Sequence, residues 1–120
     1  MSQQSDPSES EAEKTVRDYQ NVQEQLRAVT LQLDQLHAQK AELEKAKEEV
    51  SAASGRIYIT VGGVIVETSK DKALSDIKEK SELTDVRIAS MSKQLNELKA
   101  KEKQLSEKIT RMYEQSRGVG

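Results

Sequence analysis

The chain has 120 residues, 34% hydrophobic and 33% charged, with three Tyr, one Pro and no Phe, Trp or Cys, too little bulky apolar volume for an ordinary globular core of this length. Nineteen Lys plus Arg against 21 Asp plus Glu leave a net charge of -2, unlike a dedicated nucleic-acid binder, which must neutralise phosphates. Without Cys there is no disulfide, thiol nucleophile or Cys-based zinc site, and the apolar runs, such as Val64 to Val66, are far too short to cross a membrane.

The stretch from Met1 to Glu13 is polar and acidic, so it reads as neither a secretory signal nor a basic transit peptide, and a cytoplasmic location is expected. Residues 1–7 are expected to form an acidic flexible tail. Asp6-Pro7-Ser8-Glu9 combines an N-cap acid, Pro in the first helical position and Glu in the first turn, which predicts a helix over 8–54. Along it, Val22, Val29, Leu36, Leu43 and Val50 recur every seven residues. A second series, Tyr19, Leu26 and Leu33, continues as Lys40 and Lys47. The spacing alternates between three and four, so both series share one seam, the signature of a coiled coil.

Glycines mark the centre of the chain. In residues 55–68, Ile57, Tyr58, Ile59 and Val61 precede Gly62-Gly63, and Val64, Ile65 and Val66 follow it. β-Branched and aromatic residues around a dipeptide that tolerates positive φ at both positions predict a β-hairpin with a type I′ turn. A two-stranded hairpin is marginal by itself in water, and this one is apolar on both faces with unpaired edges. Oligomerisation through the hairpin is therefore expected, strands from several subunits closing a sheet or barrel.

A second helix is predicted over 69–116, starting at Thr68 or Ser69 with Asp71 near its positive end. Its two series are Ile77, Thr84, Met91, Leu98, Leu105, Met112 and Leu74, Ser81, Ile88, Leu95, Glu102, Ile109. Arg117 and Gly118 suggest a stop, leaving 117–120 as a tail. Folding the chain about Gly62-Gly63 brings the two seams into register, Leu36 near Ile88, Val29 near Leu95, Leu26 near Leu98 and Val16 near Ile109, with Lys40 opposite Thr84 and Asp85. The first 54 residues carry net charge -5 and the remainder +3, which favours the same pairing. The expected fold class is mainly α: a long antiparallel two-helix coiled coil joined by one central β-hairpin that assembles into an inter-subunit β-barrel. Each arm of about 45 residues would reach roughly 65 Å.

The run "YITVGGVIVETSKDKALSDIKEKSELTDVRI" from Tyr58 to Ile88, with "MSKQLNELKAKEKQLSEKI" after it, resembles the β class of prefoldin subunits. The strand, Gly-Gly and helix-start pattern carries the likeness, which covers about residues 14–115. A single hairpin marks the β class, since α-class subunits have two, and the glycine pair fits archaeal β subunits and a eukaryotic β-type subunit alike. The resemblance implies a hexamer of two α-class and four β-class subunits whose hairpins form a double β-barrel. It implies an ATP-independent holdase whose arm ends grip unfolded or nascent polypeptide and pass it to a group II chaperonin. Carried onto this chain, Ile57 to Val66 would belong to the barrel, and Val16, Tyr19, Ile109, Met112 and Tyr113 would form the client-binding tip. Periodicity alone assigns such tip residues to the seam, and a side chain packed in the resting arm can still be released to a client.

His37 stands beside a core position with no second His at metal spacing and reads as a solvated flank residue. Gly62-Gly63 lacks the Lys and third Gly of a phosphate loop. The lysines of the second helix alternate with Glu97, Glu102 and Glu107 as a solvated face. No nucleophile-base pair is found, so neither enzymatic activity nor a cofactor is expected, nor is nucleic acid or membrane a partner. The rival reading is a structural coiled-coil tether without client binding, which would share the periodicity but not require an apolar hairpin.

Overall fold

The computed structural model of the chain describes residues 10–119, with side chains through Arg117. Two long helices, α1 (Glu11–Ala52) and α2 (Lys70–Val119), flank a hairpin of β1 (Ile57–Val61) and β2 (Val64–Thr68). The strands pair antiparallel from Val61↔Val64 at the turn to Ile57↔Thr68 at the open end. Gly62 and Gly63 have φ of 54° and 81°, the pair of positive values that a type I′ turn requires and that other residues adopt only under strain.

Each helix end follows from a local bonding need. The expected start at Asp6 to Glu9 lies outside the described residues, and α1 begins at Glu11 with Ser10 as its cap. The Ser10 hydroxyl accepts the Glu13 backbone N–H at 3.1 Å and lies 3.2 Å from the Glu13 carboxylate, to which it donates. Glu11 and Glu13 also place negative charge at the positive end of the helix dipole. At the other end the Ala53 N–H bonds the Val50 carbonyl at 3.2 Å, tightening the final turn. The freed Ala53 carbonyl accepts from the Lys70 ammonium at 3.2 Å, so the first residue of α2 satisfies the end of α1. Ser69 caps α2, its hydroxyl accepting the Lys72 N–H at 3.1 Å. Thr68 instead closes β2, and its hydroxyl oxygen is buried without a partner. Gly118 does not stop α2, which continues to Val119. A glycine ends a helix by turning left-handed, and among the described residues only Gly62 and Gly63 have positive φ.

By its internal contacts the chain divides into two units, the first combining residues 1–31 with 92–120 and the second spanning 32–91. In the first, Thr15, Val22 and Val29 are buried at intervals of seven on α1. Thr15 lies one heptad before the predicted series, and its hydroxyl bonds the Glu11 carbonyl of its own helix at 2.8 Å, so a polar residue occupies the seam without an orphaned group. Tyr19 and Leu26 on α1, and Leu95, Leu98, Leu105, Ile109 and Met112 on α2, are half-buried. Lys108 bridges to Glu11 at 3.1 Å, joining the two helices.

In the second unit Leu33, Ala73 and Thr84 are buried, while Leu36, Leu43, Val50, Leu74, Ile77, Ser81, Ile88 and Met91 are half-buried. Thr84 meets its polar need as Thr15 does, its hydroxyl donating to the Lys80 carbonyl at 2.8 Å. Lys40 forms an ion pair with Asp85. The hydrogen bond to Asp85 is the main cause that raises the Lys40 pKa above its ordinary 10.5; burial acts against it, and the Asp85 and Glu44 charges reinforce it. Lys47, the next seam lysine, is exposed, and the half-buried place near it belongs to Ala46.

Candidate functional site

The register of the hairpin sorts its side chains onto two faces, because successive residues of a strand point to opposite sides. Pairing Ile57↔Thr68, Ile59↔Val66 and Val61↔Val64 gives one face that is apolar except for Thr68. Pairing Tyr58↔Glu67 and Thr60↔Ile65 gives a mixed face. Ile57 and Ile59 are half-buried, whereas Tyr58, Val61, Val64, Ile65 and Val66 are all exposed, Ile65 to 72%. Arg56 and Glu67 approach to 3.5 Å at the open end.

Hydrogen bonding in an antiparallel pair alternates between bonded and non-bonded positions. With Val61↔Val64 closing the two-residue turn as a bonded pair, Thr60↔Ile65 and Tyr58↔Glu67 are non-bonded, and their backbone N–H and C=O groups point outward. Each edge of the hairpin can therefore take another strand. Full burial of a Val or Ile side chain contributes about 1.5–3 kcal/mol. Five large apolar side chains left in water, on an element whose edges are open, describe half of an interface.

The second candidate site lies at the arm end, within the first unit. Val16 on α1 and Ile109, Met112 and Tyr113 on α2 line one groove of about 240 Å³, with Ala12 and Ser116 completing it. The small side chains of Ala12 and Ser116 leave the space that the larger four surround. Val16 is 41% and Tyr113 62% exposed, so the groove is open to solvent. The Arg117 guanidinium sits over the Tyr113 ring, 5.7 Å from its centroid. Tyr19, expected with this group, does not line the groove and is half-buried one turn away. Ala12 stands one heptad before Tyr19 and Ser116 one heptad after Ile109, so both occupy seam positions, but their small side chains add no large apolar residue to either series.

His37 is exposed, and among the described residues no group of three or more His, Cys, Asp and Glu is placed to hold a metal ion. No helix among them is long and apolar enough to cross a membrane.

The profile of the family described as "Prefoldin subunit" matches residues 13–116. The chain belongs to the prefoldin family. Its relatives place it in the β class. It is 38% identical over 92 residues to the prefoldin subunit beta of Pyrococcus abyssi, covering 75% of this chain and 79% of that one. It is likewise 38% identical over 89 residues to that of Pyrococcus horikoshii, covering 72% and 76%. The crystal structure of the prefoldin beta subunit from Thermococcus strain KS-1 superposes with a TM-score of 0.80 at 30% identity, covering 92% of this chain and 96% of that one. Two long helices around a two-stranded antiparallel hairpin are thus the fold of a prefoldin β subunit. Prefoldin subunits are components of a chaperone and assemble with one another.

Proposed function

We propose that this prefoldin subunit is part of an ATP-independent holdase of two α-class and four β-class subunits, with Ile57 to Val66 contributing to a shared barrel. Its arm ends bind unfolded or nascent polypeptide, and the complex hands that client to a group II chaperonin in the cytoplasm. No catalytic step or cofactor is required of the chain. The observation that carries client binding is the solvent-open apolar groove of Val16, Ile109, Met112 and Tyr113. Such a groove offers contact without demanding a sequence. Met112 suits it, because an unbranched, polarizable side chain adapts to differing partners. Tyr19 is half-buried where fraying of the helix ends would release it. Neither the open groove nor the apolar hairpin would be needed by a simple tether.

The test is light scattering of a chemically denatured protein diluted into the subunit assembled with an α-class partner. Aggregation should fall as the complex approaches the client concentration and should do so without ATP. Unchanged scattering in the presence of an intact complex would overturn the reading.

A further inference from the structure

We propose that the hairpin-proximal part of the arm, residues 40–51 of α1 against 71–85 of α2, is a built-in joint that opens and recloses while the hairpin stays paired. The seam loses its packing there. Ser81 stands where the heptad calls for a large apolar side chain, and Lys47, at the equivalent place on α1, is exposed. Leu43, Leu74 and Ile77 are half-buried like most of the seam, but on α1 the buried positions Val22, Val29 and Leu33 have no counterpart after Leu33. What occupies the interval is a groove of about 620 Å³ whose walls mix Leu43, Leu74 and Ile77 with Lys47, Ser81 and Glu82. The polar groups among these walls give water partners in the groove, so less packing is lost there when the helices shift than in a filled apolar seam.

The ends of the interval are fastened. Toward the hairpin, Ala73 is buried and Lys70 holds the Ala53 carbonyl at 3.2 Å. On the other side, Lys40 and Asp85 are paired next to buried Thr84. A wet stretch between two tied points has few buried apolar contacts, the physical mark of a segment that opens below the global unfolding free energy. The joint is a property of the arm at rest and does not depend on client binding.

Amide hydrogen exchange on the complete subunit, assembled with its α-class partner and free of client, tests the proposal. Amides of 43–50 and 74–81 should exchange about ten-fold faster than those of 22–33, where Val22, Val29 and Leu33 are buried. Ser81→Leu, which fills the groove, should slow exchange in 43–50 and 74–81 several-fold and leave 57–68 unchanged. Should circular dichroism show that Ser81→Leu has lost helix, Lys47→Leu fills the same groove from α1 and is read instead. Equal protection along both stretches of the wild-type arm overturns the joint. Fast exchange that a folded filling variant does not slow overturns it as well, since the groove would then not be its cause.

Discussion

Replacing Val64 with Glu separates the folding of this subunit from its assembly. Val64 lies on the apolar face of the hairpin and is 61% exposed, so in the free chain the substitution removes little packing. A surface change of that kind shifts stability by no more than about 0.5 kcal/mol. In the proposed assembly the same position is covered. The still-exposed part of a valine contributes about 1–2 kcal/mol when buried. A carboxylate without a partner in its place adds a desolvation cost of roughly 3–5 kcal/mol. The combined penalty of about 4–7 kcal/mol corresponds to some three to five decades in the association constant of each contact. Sedimentation velocity with an α-class partner reads the complex, and circular dichroism of the free chain reads the fold. The expected result is loss of the complex with unchanged helicity. A Val64→Glu subunit that assembles as the wild type does at micromolar concentration would refute the assignment of this face to an interface.

Three further outcomes follow from local geometry. Gly63→Ala should cost about 1–2 kcal/mol through its φ of 81° alone, since an added Cβ meets no atom within 4 Å; a drop in the assembly midpoint at unchanged helicity reports it. Ser10→Ala should weaken the α1 start by about 1 kcal/mol, seen as faster amide exchange at 11–15 and nowhere else. The Lys40 pKa is raised in the folded chain, so its pairing with Asp85 contributes fully below 10.5 and is lost as pH rises through the raised value. The urea midpoint should therefore fall between neutral pH and strongly alkaline pH by more in the wild type than in Lys40→Met.

The hairpin was legible because Gly62-Gly63 between β-branched residues leaves few alternatives, and the seam because Val22, Val29 and Leu33 repeat at coiled-coil spacing. The pairing about the turn was legible enough to bring Lys40 to Asp85. The rest escaped for physical reasons. Ser10 caps α1 by accepting the Glu13 N–H, a local bond that the apolar pattern does not mark. Thr15 and Thr84 look like breaks in an apolar seam, yet each returns its hydroxyl to its own helix and so can be buried. Lys47 fits the heptad in number but not in chemistry, and an ammonium without an opposing carboxylate turns to water. The arm-end groove is completed by Ala12 and Ser116, which lie on the heptad series but are too small to register as part of an apolar seam, while Tyr19 on the same series lies outside it. The proposed partners of the hairpin lie in other subunits, so one sequence shows exposed apolar strands without showing what covers them.

The account rests most heavily on the arm end as the place where client is held. The direct measurement is aggregation suppression by the assembled complex carrying Val16→Ser, Ile109→Ser and Met112→Ser together, with its assembly checked by native mass spectrometry. The complex should form as the wild type does, because these residues are remote in sequence from the hairpin, and suppression should be largely lost. An intact variant complex that suppresses aggregation as well as the wild type would contradict the account.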